Sequence, residues 1–409
     1  MTAKRAWLLV GFLGVALFLD NIDRHAIFSI FPVLKSKLRF TDVELGLTGS
    51  VFLWVYALCS PIAGQIGDRF SKRKLVALSL LLWSGATALT GFSNSAATLL
   101  ACRALLGITE SLFYPAAMAL IANAHGPRTR SLASNLFGIG EYAGVAIGGW
   151  YGSFMAQEFD WRLVFFSLGL AGIVYTVPYA VFLRGVRDEA APQRIESHLS
   201  VAVLARVPSY LFLAVAFPVC VCVVWLLYTW LPTFLYEKFS LSLAEAGFSA
   251  TVYLQSANLV GTLAGAALGD QFYNRTGASR FWVSAIGFFL AAPCFYLIGH
   301  GPSLFLTEVA AIGVGLSSGM FLANLAVAAF DVVPAHTRAS AIGCLNLVGS
   351  MTSGFASLAE GKWKASVGIA SMMSYAALAC LGAGLLMTVC IRFYFPRDFE
   401  LVHPMHADR

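Results

Sequence analysis

The chain has 409 residues, of which 58% are apolar and 12% charged, and its mean hydropathy is +0.75. Soluble globular domains carry about 25% charged residues, so the composition excludes that class and indicates a polytopic helical membrane protein. The net charge of +6 resides mostly in loops on one side of the apolar stretches, and no nucleic-acid partner is needed to explain it.

Apolar stretches separated by polar breaks predict an all-α fold of twelve transmembrane helices, over 6–32, 44–66, 74–94, 97–122, 131–156, 161–183, 209–236, 245–268, 281–299, 303–330, 338–360 and 367–391. The runs are long and continuous, whereas a transmembrane barrel alternates over segments of ~10 residues. Lys4-Arg5 followed by an apolar run resembles a secretory signal. The run outlasts signal length, and no convincing cleavage site precedes Asp20, so it is expected to be a retained first span.

Basic residues set the orientation. With the amino terminus inside, Lys35, Lys37, Arg39, Arg162, Lys238, Lys362 and Lys364 fall outside, and most other loop arginines and lysines fall inside. That bias predicts both termini on the cytoplasmic face of a cell membrane, bacterial inner membrane being the expected location. The longest polar break, Arg184–Pro208, divides the spans six and six. The expected organisation is an amino-terminal bundle over 1–183, a cytoplasmic linker over 184–208 and a second bundle over 209–409. All eight cysteines lie inside apolar runs with no CxxC pair. They are expected to be packing residues, with no metal site, disulfide framework or cofactor.

The first span contains Asp23-Arg24, and the fourth contains Arg103 and Glu110. Each charge costs at least ~2.5 kcal/mol near a bilayer centre, so such residues face a cavity or a partner. Span one runs outward and span four inward, which brings the four groups to comparable depth at ~1.5 Å per residue. Arg103 and Glu110, two turns apart, share a helix face. Arginine keeps its charge and grips a carboxylate in a planar fork, while a carboxyl drawn into low dielectric can exchange a proton. These residues predict a proton-coupled carrier of a small organic anion. A static ion-pair network is the competing reading, chiefly for Arg103. For His25, neutral packing is favoured over a proton relay.

Gly64-Gln-Ile-Gly67-Asp68-Arg69-Phe-Ser-Lys72-Arg73 follows the second span, and Gly265-Ala-Ala-Leu-Gly269-Asp270 with Arg275 echoes it after the eighth. The first resembles the signature loop of the major facilitator superfamily, with Lys72 at the first basic position. The likeness extends over twelve spans and the six-plus-six split. It implies a cytoplasmic conformational latch at Gly64, Asp68, Arg69, Arg73 and Asp270, and an internally repeated fold with the substrate near mid-membrane.

Within that superfamily the chain resembles the anion:cation symporters, which carry sugar acids and other organic anions. The carrying residues are Asp23-Arg24, Tyr56-Ala57, Arg103-x-x-x-Gly107-x-x-Glu110 with Tyr114-Pro115, and Thr229-Trp230-Leu231-Pro232. The resemblance implies that Asp23 and Glu110 carry protons, that Arg103 tunes these acids, and that Arg24, Tyr56 and Asn346 contact substrate. Glu141 stands where those carriers have Gln. It could bind a hydroxyl-rich or cationic group, take a second proton or balance a buried arginine. Trp230 and Asn324 are further candidate substrate residues, packing being the default for Trp230. Spinster-like lipid carriers share the Asp-Arg, the Arg-x-x-x-Gly-x-x-Glu and the signature loop, and form the alternative. A receptor or membrane enzyme is less favoured, because no sensor domain and no HExxH site is present. The expected partners are a small organic anion, protons and the bilayer, with the protein a monomer.

Overall fold

The computed structural model describes residues 2–126, 129–185, 202–273, 275–334 and 337–402, with the side chains of 67–69, 131 and 339 also outside the description. Most of the expected 184–208 linker therefore lies outside the described residues. Among those described, the regular structure is helical. In chain order it runs α1 Ala3–Ser29, α2 Phe31–Leu38, α3 Asp42–Arg69, α4 Lys72–Thr90, α5 Ala96–Ser111, α6 Phe113–Ala124, α7 Arg130–Glu158 and α8 Trp161–Leu183. It continues with α9 Pro208–Phe239, α10 Leu243–Gln271, α11 Ser279–His300, α12 Leu304–Val332, α13 Arg338–Phe393 and α14 Phe395–Val402.

Helix starts follow local chemistry. Thr41 and Glu44 form a capping box on α3, with Glu44 Oε2 accepting from Thr41 N at 2.8 Å and Thr41 Oγ1 from Glu44 N at 3.2 Å. Each satisfies an amide that the first helical turn leaves open. Ser71, Ser95 and Ser303 cap α4, α5 and α12. Asp160 caps α8 by accepting from Arg162 N at 2.9 Å, and this bond holds its carboxyl below the usual carboxylate range.

Eight helical stretches are long and apolar enough to cross a membrane: α1, α3, α5 with α6, α8, α9, α11, α12 and α13. Three predicted spans, those on α4, α7 and α10, are helical but do not meet the same apolar threshold. Helix α7 carries Glu141 and six glycines between Gly138 and Gly152, and α10 carries Gln255 and Asn258. The predicted fourth span is broken at Leu112, between α5 and α6. Pro115 lacks the N–H that would bond the Ser111 carbonyl and crowds that oxygen. The eleventh and twelfth predicted spans run as one long α13, interrupted at Gly368 with φ 78° and ψ 163°, a conformation open to glycine.

The chain forms two compact units, one comprising Met1–Gln193, Tyr228–Val252 and Ser357–Lys362, the other Arg194–Leu227, Tyr253–Ala356 and Trp363–Arg409. In the first, α1 lies along α7, α4 along α8 and α3 along α5. The α1–α7 approach depends on missing side chains. A Cβ on Gly140 would strike the Gly14 carbonyl, one on Gly144 would come within 2.6 Å of Phe18 O and Asn21 Cβ, and one on Gly148 within 2.8 Å of Ile22 O. Four-residue spacing of small residues allows such contact, and here it fixes the stretch of α1 that carries Asp20 to Arg24. In the second unit α11 packs on α12. There Gly261 and Gly265 of α10 lie against Leu316 and Met320 of α12.

Candidate functional site

The guanidinium of Arg24 is the centre of the site. Its Nη2 donates to Glu110 Oε2 of α5 at 2.6 Å and to Asp20 Oδ2 of α1 at 2.8 Å, and its Nε donates to Glu110 Oε2 at 3.1 Å. Below it lie the rings of Phe52 and Tyr56 from α3, 4.8 and 5.6 Å from the guanidinium carbon. Asp20 and Glu110 are almost wholly buried, whereas the Arg24 side chain keeps 18% of its surface. An accessible cation is thus presented on an acidic, aromatic floor. Glu110 Oε1 has no hydrogen-bond partner and is buried, an arrangement of high cost unless a proton or ligand completes it.

Arg103 is the second guanidinium and is fully buried. Its Nε donates to Thr48 O at 3.2 Å and its Nη2 to Arg24 O at 3.4 Å. The Phe52 and Phe28 rings lie 5.0 and 5.8 Å away. It is held by main-chain carbonyls and has Glu110 and Asp23 as electrostatic neighbours. It is therefore a fixed positive charge, whereas Arg24 is ligated by groups that can change charge.

Asp23 and Arg24, though adjacent, do not pair. Neighbouring positions on a helix point in different directions, and Asp23 turns to α4, where Thr87 Oγ1 donates to its Oδ2 at 2.6 Å. Asp23 Oδ1 is buried without a hydrogen-bond partner. The acid that pairs with Arg24 on its own helix is Asp20. Sequence reasoning passed over it, although its i,i+4 spacing to Arg24 was the available signal.

Glu141 of α7 has exposed surface, and its electrostatic neighbours are Arg24, Asp20, Tyr56 and Tyr114. These neighbours place it on the Arg24 side of the unit. His25 is buried, with Nδ1 3.0 Å from Asn21 O and its ring edge-on to Tyr228 at 5.1 Å.

The remaining candidates lie elsewhere. Trp230 has no exposed surface; it meets Phe31 edge-on at 5.4 Å and lies beside Glu360. Glu360 is buried at the edge of the predicted eleventh span and was not singled out from sequence. In the second unit, Asn324 is buried, its Nδ2 donating to Gly265 O and Met320 O at 2.9 Å. Asn346 is exposed on α13.

Of the signature-loop residues, Gly64 faces open space, and Asp68 and Arg69 have side chains outside the described residues. Arg73 Nη1 donates to Arg184 O at 3.1 Å. Asp270 accepts from Arg280 Nη2 at 2.9 Å, and Arg280 Nη1 donates to Asp331 Oδ2 at 2.8 Å. The echo in the second half thus includes Arg280 and Asp331, two residues that the motif did not contain. Among the described residues no cluster has the composition of a metal site.

Membrane-length helices, a two-unit fold and a charge cluster buried inside one helical unit are features of a polytopic membrane protein with a polar interior site. The Major Facilitator Superfamily profile matches residues 13–357, and the chain belongs to that superfamily. A probable sulfoacetate transporter of Cupriavidus necator is 26% identical over 86% of this chain and 84% of its own length. A hexuronate transporter of Bacillus subtilis is 23% identical over 68% of this chain and 67% of its own. The crystal structure of a bacterial homologue of the human lysosomal transporter spinster, inward-facing and unoccupied, superposes with a TM-score of 0.79. It is 19% identical, with 98% of each chain covered.

Proposed function

We propose that this transporter moves a small organic anion, a sugar acid or another carboxylate or sulfonate, together with protons in the same direction, by alternating access. The observation that carries this reading is the bond from Arg24 Nη2 to Glu110 Oε2 at 2.6 Å. One accessible cation is held by a buried carboxyl, so an arriving anion and the carboxylate compete for it. An anion that takes Arg24 leaves Glu110 without its counterion, and a proton then neutralises the acid. Loss of the anion reverses both steps. Arg103, fixed on backbone carbonyls, supplies a constant field to Glu110 and Asp23.

In this reading Glu110 and Asp23 carry protons, and Arg24, Tyr56 and Glu141 contact cargo. Asn324, Asn346 and Trp230 are secondary candidates. Gly64, Asp68, Arg69, Arg73 and Asp270 act in the latch, with Arg280 and Asp331 added to the last. The names of the two relatives support an organic anion as cargo. The proposed setting is a bacterial inner membrane, with a monomer whose termini are both cytoplasmic, a bundle over 1–183, a linker over 184–208 and a bundle over 209–409.

The test is uptake into proteoliposomes under an imposed pH gradient, with sulfoacetate, D-glucuronate and D-glucarate as labelled probes. Uptake that the gradient drives and that Arg24→Ala abolishes is the expected result. Uptake indifferent to the gradient, or transport of lysolipid with none of the anions, overturns it; the latter would instead support the spinster-like reading.

A further inference from the structure

The geometry points to Asp20 as a further proton-accepting residue, forming with Glu110 a carboxyl dyad on Arg24 that holds one proton in the empty carrier and takes up one more with each anion. This deepens the proposed symport, and its transport arm rests on that reading. Asp20 Oδ2 and Glu110 Oε2 both take hydrogen bonds from the same atom, Arg24 Nη2, at 2.8 and 2.6 Å. The two oxygens are therefore no further apart than those two bonds laid end to end. Both side chains are all but excluded from solvent, at 3% and 0% exposure. Two like charges at that separation in low dielectric resist simultaneous ionisation, as in carboxyl pairs that share one proton.

Charge around the pair reinforces the argument. Asp20 faces Arg24 and Asp23 of its own helix, Glu110 of α5, Tyr56 of α3 and Glu141 of α7. Arg103 lies further along, facing Glu110 and Asp23. The carboxyls Asp20, Asp23, Glu110 and Glu141 outnumber the guanidiniums Arg24 and Arg103, so the fully ionised cluster is negative before any anion arrives. The nearest neutral support for Asp20 is Asn21 Nδ2, which donates to the same Oδ2 at 3.4 Å. An anion can occupy Arg24 only when acid charge is removed. With no cargo, one proton from solvent resides on the dyad, on Asp20 or on Glu110. When an anion takes Arg24, both acids lose their cation, that proton stays on one, and the other accepts a second proton from solvent. Release of the anion returns that second proton to solvent.

Two measurements separate this inference from the cargo assignment. Infrared titration of purified, cargo-free protein reads protonated carboxyls directly. A band present in the wild type should be lost or shifted in both Asp20→Asn and Glu110→Gln and should return in Asp20→Glu. A band that Asp20→Asn leaves unchanged overturns the dyad, whatever the cargo. A loss in Asp20→Asn that Asp20→Glu does not repair also counts against it. In proteoliposomes with sulfoacetate as probe, uptake driven by a pH gradient tests the cargo reading separately. Absence of sulfoacetate flux in the wild type, with the infrared result intact, indicts the cargo reading alone.

Discussion

Arg103 Nε donates to the backbone carbonyl of Thr48 at 3.2 Å, fastening a buried guanidinium of α5 to the main chain of α3. A lysine has a single ammonium and cannot reproduce a planar fork that reaches Thr48 O and Arg24 O together. Arg103→Lys is expected to leave a buried acceptor poorly satisfied and to cost about 1–3 kcal/mol of stability. Thermal unfolding in detergent measures it. A melting temperature equal to wild type would mean that the fork contributes nothing.

Glu110→Gln keeps the shape of the side chain and removes its titration. Uptake driven by a pH gradient should fall to background, while exchange of labelled for unlabelled anion across the membrane persists. Gradient-driven uptake at wild-type rate would remove Glu110 from the proton path.

Gly144 sits where α7 crosses α1, and a Cβ there would come within 2.6 Å of Phe18 O. Backbone cannot yield as a flexible side chain can, so overpacking of this kind costs about 1–3 kcal/mol. Gly144→Ala should lower the melting temperature and shift α1. Gly138→Ala, where nothing lies within 4 Å of the added carbon, is the matched control and should be near neutral.

Asp160 is depressed below the ordinary carboxylate range chiefly by the Arg162 amide, with Lys37 adding to it. A carboxyl whose folded value is lowered stabilises the protein above its unfolded value, about 3.9, and loses that contribution as pH falls through the folded value. Asp160→Ala should cost about 1 kcal/mol at neutral pH through the lost helix cap, with little from Lys37 because both side chains are exposed. The difference from wild type should shrink in acid below roughly pH 4. Melting curves across pH check this, and a difference that grows in acid contradicts it.

Composition and the positions of apolar stretches made the helical fold readable, because both are one-dimensional properties. The break at Leu112 and the joining of two spans through Gly368 were not, because each depends on how a neighbouring proline or glycine is used. Arg24, Arg103 and Glu110 stood out as charges in apolar surroundings. Asp20 escaped notice because Asp23 was nearer to Arg24 in sequence, yet the helix turns Asp23 toward Thr87 and Asp20 toward Arg24. Arg280 and Asp331 joined Asp270 through tertiary contact between helices, which no local motif encodes. Glu360 lay at a span edge, where a carboxylate seemed ordinary until its burial beside Trp230 was known.

Arg24 on α1, Tyr56 on α3 and Glu141 on α7 differ in charge and in hydrogen-bonding sense, and they come from three separate helices. Approached from one side only, such a trio can be matched in order by the contacting groups of one mirror form and not of the other, so mirror-related cargo molecules meet unequal surroundings. A carrier built this way should distinguish the D and L forms of one sugar acid, and should do so less well once Glu141 is shortened to Ala.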